Sequence, residues 1–198
     1  MKLILASHNQ KKIAELRRIL HPMGFEVISP GDAGVLSDAE ETGKTFAENA
    51  RIKALDIYRK TGLPTVADDS GLCVDALGGR PGVHTALYGG EYLPYDEKMA
   101  LLLSELNGLP QDKRTARFCC AICCVLPGGD LIETYGECEG WIAFEPAGSG
   151  GFGYDPIFMI GDKSFGETPP GEKDALSHRS VALRQLEKKL REYGAINT

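Results

Sequence analysis

The stretch MKLILASHNQKKIAELRRIL, residues 1–20, carries the pattern that decides the fold class. Lys2 to Ala6 is a short apolar run of the length of a buried strand, and a polar turn follows it. Apolar residues then recur at helical spacing, at Ile13, Leu16, Ile19 and Leu20. A strand, a turn and a helix in this order predict an α/β protein.

The rest of the chain continues the alternation. Further strands are predicted at 25–28, 65–67, 72–74, 116–126, 131–137 and 141–144. Helices are predicted after the capping box that begins at Thr45, from Pro94, and from Ser177. Residues 30–43 form an acidic loop, and 148–177 are predicted to be irregular. No linker or repeat stands out, so residues 1–198 are expected to form a single domain.

Composition excludes several classes of protein. Of 198 residues, 42% are hydrophobic and 25% charged, which is typical of a globular chain and not of a disordered one. The net charge of -6 argues against a nucleic-acid partner. No run approaches a membrane span, and the opening residues soon turn polar, so a cytoplasmic protein without a membrane partner is expected.

Six cysteines raise the question of a metal site or disulfides. Four of them fall within the predicted strand 116–126, where neighbouring side chains point to opposite faces. Cys120 and Cys123 would therefore diverge, which favours buried thiols over a zinc site or a disulfide.

A first candidate site lies between the first strand and the first helix. Ser7, Asn9 and Lys12 offer a hydroxyl, an amide and an ammonium beside the free N–H groups of a helix N-terminus, a combination that suits phosphate. The alternative is an ordinary helix cap with a solvated lysine.

Carboxylates form the second candidate. Asp68 and Asp69 follow a buried strand, and adjacent carboxylates there suit Mg²⁺, although a polar turn is the alternative. Glu40 and Glu41 precede a helix whose Lys53 could flank the same anion, unless that face is simply solvated.

The late part of the chain carries two further motifs. Residues 148–153 match G-x-G-x-x-G, but no helix opens there, so a dinucleotide site is excluded. Phe152 and Tyr154 are instead expected either to stack on a planar ring or to pack into the core. Donors from His178 and Arg179, with Lys173 nearby, could bind a carbonyl or an anion or could serve a helix cap.

These motifs together resemble the inosine triphosphate pyrophosphatase family, the Ham1 or RdgB-like non-canonical purine NTP pyrophosphatases. The matching segments, in order, are 7–12, 40–50, 67–72, 150–158 and 177–179. The resemblance implies a mixed central sheet flanked by helices, an elongated two-lobed molecule with a central cleft, and a homodimer. It also implies Mg²⁺-dependent hydrolysis of ITP, dITP and XTP to the monophosphate and pyrophosphate.

Carried over by position, the resemblance implies a role for each matching residue. Asp69 is implied to be the proton acceptor and, together with Glu40 or Glu41, a metal ligand. Hydrolysis by a water molecule placed in line with the leaving pyrophosphate independently favours a carboxylate as the base. The residues implied in substrate binding are Ser7, His8, Asn9, Gln10, Lys11, Lys12, Lys53, Ser70, Phe152, Gly153, Tyr154, Asp155, Lys173, His178 and Arg179.

One departure from the family pattern stands at Leu87, where the family commonly has arginine. The change removes a fixed charge and five donors, so weaker phosphate affinity, altered closure or an altered dimer contact is expected there. Two other functions stay open from the residues alone: a nucleotide-binding module without turnover, and a phosphatase that releases orthophosphate.

Overall fold

A computed structural model describes residues 2–7 and 9–194. Its strands are β1 Lys2–Leu5, β2 Glu26–Ile28, β3 Thr65–Val74, β4 Thr115–Val125, β5 Leu131–Ile142, β6 Phe158–Ile160 and β7 Lys163–Ser164. Its helices are α1 Gln10–Leu20, α2 Phe46–Thr61, α3 Tyr95–Glu105, α4 Pro170–Leu176 and α5 His178–Glu192. In the described residues, no helix has both the length and the apolar character needed to cross a membrane.

The strands form one mixed sheet in the order β2-β1-β3-β4-β5-β6-β7. β1 pairs in parallel with β2, Leu3 opposite Val27, and with β3, Ile4 opposite Thr65. β6 pairs antiparallel with both β5 and β7. The α/β class and the mixed sheet predicted from the sequence are confirmed.

Contacts divide the chain into two compact units. Unit 1 takes its described residues from 2–69, 120–136 and 178–194, and β1, β2, α1, α2 and α5 lie in it. Alternate residues of its strands face two separate cores. On one face Leu5, Val66 and Ile122 pack with α1 and α5, and on the other Ile4, Ala67 and Ala121 pack with α2.

Unit 2 comprises residues 70–119 and 137–177. Its core contains Leu72 and Val74 of β3, Leu102 of α3 and a set of aromatic side chains. The aromatic set is Phe118, Tyr154, Phe158 and Phe165.

The helix signals in the sequence were read correctly. Asn9 caps α1, and Thr45 and Glu48 form the capping box that begins α2. α3 follows Pro94, and α5 begins at His178, directly after Ser177.

Two strand predictions and one prediction of irregular structure were wrong. β3 runs unbroken through Asp68–Gly71, so 65–67 and 72–74 are one strand and the two aspartates do not stand at a strand end. β5 likewise continues to Ile142, and 141–144 is no separate strand. Residues 148–177 contain β6, β7 and α4. Polar pairs inside β3 and glycines inside β5 mimic turn signals, because local composition does not show which partners tertiary contacts supply.

The cysteine strand follows the expected alternation. Cys120 and Cys124 pack with α1 and α5, whereas Cys123 packs on the α2 face. The prediction that Cys120 and Cys123 diverge is confirmed.

Candidate functional site

Asp68 and Asp69 lie in the middle of β3 and point to opposite faces of it. Successive side chains of a strand alternate, so Asp68 follows Val66 to the α1 and α5 face, and Asp69 follows Ala67 to the α2 face. Both are almost fully buried, with exposed fractions of 2% and 7%. Buried carboxylates are costly unless paired, so each needs its own partners.

We call Asp69, Asn49, Lys53 and Glu41 the Asp69 group. Asn49 Nδ2 donates to Asp69 Oδ2 at 3.2 Å, and Lys53 Nζ lies 3.3 Å from Asp69 Oδ1. The same ammonium lies 2.9 Å from Glu41 Oε2, so one lysine joins two carboxylates. Asn49 and Lys53 are four residues apart, which places both on one face of α2.

Gly43 connects the acidic loop to this group. Its N–H donates to Asn49 Oδ1 at 2.8 Å, so the amide of Asn49 is bonded at both ends. A Cβ at Gly43 would lie only 2.5 Å from Asn49 Oδ1. The position therefore requires glycine for a close approach, and that approach fixes the orientation of Asn49 towards Asp69.

We call Asp68, Lys12, Arg179 and Glu15 the Asp68 group. Lys12 Nζ is 3.4 Å from Asp68 Oδ2, and the Nε and Nη2 of Arg179 donate to the same oxygen at 3.2 and 3.1 Å. Arg179 Nη1 also contacts Glu15 Oε2 at 2.8 Å. The group joins α1, β3 and the first turn of α5.

The two aspartates have opposite pKa shifts. Burial opposes ionisation of Asp68, but Lys12, Arg179 and Lys53 outweigh it and hold its pKa well below the usual range. At Asp69 burial dominates, Lys53 and Lys12 compensate only in part, Glu41 adds repulsion, and the pKa is raised. Burial also opposes the charge of Lys53, but Asp69, Asp68 and Glu41 raise its pKa. Asp68 is thus a stable anion, whereas Asp69 is the more basic carboxylate.

The chemistry of the Asp69 group fits a hard divalent cation. Asp69 and Glu41 already converge on one positive charge, the ammonium of Lys53. Within the described residues there is no set of three or more His, Cys, Asp or Glu side chains able to hold a metal. Two carboxylates suit Mg²⁺ when substrate phosphates complete its shell. Glu40 is exposed, and no ion pair of its side chain is seen in the described part of the chain.

At the start of α1 the cap is confirmed, but Lys12 is not the solvated lysine of that interpretation. Asn9 Oδ1 accepts from the N–H groups of Lys11 and Lys12 at 3.0 and 3.2 Å, and Ser7 Oγ accepts from Asn9 N. Gln10 and Lys11 are exposed, whereas Lys12 turns towards Asp68. His8, also predicted to bind substrate, lies outside the described residues.

Unit 2 holds a separate group made by Asp155, Lys173 and Phe152. Lys173 Nζ bonds Asp155 Oδ2 at 2.7 Å and lies 4.8 Å from the centre of the Phe152 ring. The N–H of Phe152 donates to the same carboxylate at 2.7 Å. A Cβ at Gly151 would lie 2.0 Å from Asp155 Oδ2, so the loop closes around this carboxylate only with glycine there.

The other predicted residues of the late motifs have different environments. Tyr154 is buried in the unit 2 core, edge-on to Tyr95 at 5.5 Å, which matches the core alternative for this ring. Phe152, Gly153 and Ser70 are half-buried, and His178 is buried. Leu87, at the position of the family arginine, is 54% exposed.

Sequence reasoning missed Glu15 and Gly43. Glu15 is three residues after Lys12, so helical spacing could have placed both on one face of α1. Gly43 had no comparable signal, because its role depends on the approach of a loop to α2. The sequence suggests Asp68 only as half of a metal pair, whereas its contacts in the structure are with Lys12 and Arg179.

Comparisons with known proteins agree with this picture. Residues 3–189 match the model of the Ham1 family. A dITP/XTP pyrophosphatase of Bacillus subtilis is 45% identical over 189 residues, covering 94% of this chain and 96% of the relative. Its namesake in Halalkalibacterium halodurans is 48% identical, covering 93% and 96%.

Solved structures show the same relationship. The Ham1 protein of Staphylococcus aureus superposes with a TM-score of 0.87 at 34% identity, covering 98% of this chain and all of the other. A Coxiella burnetii HAM1 protein gives 0.87 at 40% identity, covering 97% and 99%. The resemblance carried by the ordered motifs is confirmed: this chain belongs to the Ham1 family.

Proposed function

We propose that this chain is a nucleoside triphosphate pyrophosphatase that hydrolyses ITP, dITP and XTP to the monophosphate and pyrophosphate. Relatives that are 45–48% identical over nearly their whole length are named dITP/XTP pyrophosphatases. The observation that carries the proposal is the pair of aspartates on β3, one neutralised by Lys12 and Arg179 and one held basic beside Lys53 and Glu41.

The cationic side chains of unit 1 are proposed to bind the triphosphate. A chain of net charge -6 must concentrate positive charge locally to bind a polyanion. Lys12 and Lys53 are mostly buried, with side chains only 16% and 13% exposed, and both stand beside β3. Ser7 to Lys11 add hydroxyl, amide and ammonium groups at the start of α1.

Asp69 is proposed as the base that takes a proton from the attacking water. Its raised pKa makes it a better proton acceptor than Asp68. Asn49 and Lys53 orient its two oxygens, so the carboxylate is held before substrate arrives. Mg²⁺ held by Asp69 with Glu41 or Glu40 would neutralise developing charge on the phosphates.

Nucleoside recognition is assigned to the remaining predicted residues. Phe152, Gly153, Asp155 and Lys173 are proposed to contact the nucleoside, with Ser70 as a further substrate contact, whereas the ring of Tyr154 packs in the unit 2 core. His178 and Arg179 are proposed to donate to the C6 carbonyl of hypoxanthine or xanthine, where adenine would leave donors unpaired. Arg179 is bound to Asp68 and Glu15, which would orient its fork for this role.

The surroundings of the enzyme are part of the same proposal. We expect a cytoplasmic homodimer without nucleic-acid or membrane partners. Four cysteines in one buried strand suit a reducing compartment.

A substrate panel tests the function. ITP, dITP, XTP, ATP and GTP are each incubated with the protein, with and without Mg²⁺, and pyrophosphate and orthophosphate are measured separately. We expect pyrophosphate from the first three, dependent on the metal. Release of orthophosphate would indicate a phosphatase instead, and binding without either product would indicate a nucleotide-binding module.

A further inference from the structure

Two of the six thiols meet across neighbouring strands of unit 2. Cys73 lies on β3 and Cys119 on β4, and the Sγ of Cys119 donates to the Sγ of Cys73 at 3.8 Å. All six cysteines are present as thiols. Neither of these two belongs to the Asp68 or Asp69 group.

A neighbouring contact supports a cross-strand arrangement of the two thiols. Arg117 Nη2 donates to both carboxylate oxygens of Asp75, at 3.0 and 3.2 Å. Asp75 lies two residues after Cys73, directly beyond the end of β3, and Arg117 lies two residues before Cys119 on β4. Directly opposed side chains have Cβ atoms about 4.5–5.5 Å apart, and a disulfide needs about 3.5–4.5 Å. To form a disulfide, the two sulfur atoms must approach each other from 3.8 Å to about 2.05 Å.

The two thiols differ in their exposure to solvent, and therefore to a dissolved oxidant. Cys73 is half-buried and reaches solvent, whereas Cys119 is 2% exposed. The hydrogen bond from Cys119 lowers the pKa of the Cys73 thiol and burial opposes this; Arg117 lowers the pKa further, whereas Glu137 and Asp75 raise it. In contrast, burial raises the pKa of Cys123 and of Cys124 to about 12. Thiolates react with peroxides much faster than protonated thiols do, so Cys73 is the member that is oxidised first.

We propose that Cys73 and Cys119 form an oxidation site that closes reversibly to a disulfide across β3 and β4. The oxidant is a hydroperoxide, ROOH. The Cys73 thiolate attacks one peroxide oxygen, the O–O bond breaks, ROH leaves with the thiol proton, and Cys73 becomes a sulfenic acid. Cys119 sulfur then attacks the Cys73 sulfur, the S–O bond breaks, and water leaves with the Cys119 proton. Two thiols lose two electrons, the peroxide gains them, and a dithiol reductant reverses the change.

The site is tested on the whole protein with hydrogen peroxide as the probe. After oxidation and alkylation of remaining thiols, the chain is cleaved with trypsin and the peptides are mapped by mass. Trypsin leaves Cys73 as the single cysteine of its peptide. The other five cysteines fall in one other peptide, because residues 118–162 contain no lysine or arginine. We expect these two peptides to be linked, and to separate after reduction.

Variants identify the partner of Cys73. The link is expected to be lost in Cys73→Ser and in Cys119→Ser, and kept in Cys138→Ser, which alters a buried cysteine of the same large peptide. Circular dichroism checks that each variant folds. If a variant does not fold, the peptide map of the oxidised wild-type protein still tests whether the two peptides are linked. Absence of the link in oxidised wild type, its survival in Cys119→Ser, or sulfinic acid at Cys73 with Cys119 still alkylated would overturn the proposal. The test is independent of the proposed enzymatic function.

Discussion

Asp68 and Asp69 show how one residue type acquires two chemical characters from its neighbours. They are adjacent in sequence and similarly buried, yet the pKa of one is lowered and that of the other raised. The difference follows from strand alternation, which places the two side chains on opposite faces of β3. Asp68 contacts both Arg179 and Lys12, whereas Asp69 contacts one lysine, Lys53, which also contacts Glu41.

Replacing Asp69 with asparagine should remove turnover while the fold remains. Loss of the base is expected to lower kcat about 10²- to 10⁴-fold. Because burial disfavours the charge of Asp69, the unfolding temperature should stay the same or rise. Steady-state pyrophosphate release and thermal unfolding measure the two effects, with Asp112→Asn, an exposed site, as the control. Near-normal kcat in Asp69→Asn would remove this residue from the mechanism.

Replacing Asp68 with asparagine should instead lower the free energy of unfolding. The change leaves Lys12 and Arg179 without their shared carboxylate, and breaking such a buried pair costs roughly 3–5 kcal/mol. Folding lowers the pKa of Asp68. Ionised Asp68 therefore contributes its whole stabilising free energy above the pKa of an unfolded aspartate, about 3.9, and this contribution is lost as the pH falls towards the pKa of Asp68 in the folded protein.

Urea unfolding of both proteins at pH 7 and below about pH 4 checks this sign. The difference in free energy of unfolding between wild type and Asp68→Asn should be large at neutral pH and should shrink in acid. A difference that is independent of pH would contradict the ion-pair explanation.

At the scale of elements, the start of α2 holds the Asp69 group in position. Thr45 and Glu48 close the capping box, and the next turn carries Asn49 and then Lys53. The acidic loop bonds to this turn through Gly43 N–H, so the loop, the helix and β3 meet at Asn49. The capping signal can be read locally, whereas the loop contact cannot.

Substituting Gly43 with alanine should impair catalysis more than folding. The new Cβ would lie 2.5 Å from Asn49 Oδ1 and would displace the amide that orients Asp69. A misplacement of about 1 Å can cost up to 10²-fold in rate, so kcat is expected to fall roughly ten- to hundredfold. Gly31→Ala, where the Cβ would meet its nearest neighbour at 3.7 Å, is the matched control. Equal kcat in the two variants would show that Asn49 does not position the base.

At the scale of the whole molecule, the surplus of negative charge makes stability sensitive to cations. The chain carries 28 acidic against 22 basic residues, and two of the carboxylates share one lysine in the Asp69 group. A ligand that binds only the folded state raises the unfolding temperature.

Mg²⁺ is therefore expected to raise the melting temperature above that in NaCl of equal ionic strength. The rise should disappear in Asp69→Asn. It should be smaller in whichever of Glu41→Gln and Glu40→Gln removes the second metal ligand, so these two variants show which glutamate binds the ion. Differential scanning fluorimetry is the measurement. An equal rise in wild type and Asp69→Asn would place the cation elsewhere.

Much of this protein could be predicted from local pattern. Hydrophobic periodicity and capping residues determined the α/β class and four of the five helices found in the described residues, because these signals depend on neighbours within a few positions. The ordered motifs from Ser7 to Arg179 determined the family, since five matches in sequence order are far more specific than one.

Only the tertiary structure decided which partners the charged residues have. It made β3 a single strand, joined Glu15 to Arg179, tied Gly43 to Asn49 and placed Cys73 beside Cys119. The contacts of Glu15 with Arg179 and of Cys73 with Cys119 join segments distant along the chain, and that of Gly43 with Asn49 joins a loop to a helix. Burial there makes the choice of partner decisive for charge and reactivity. Residue spacing along one element cannot specify such contacts, because they arise only when separate elements pack.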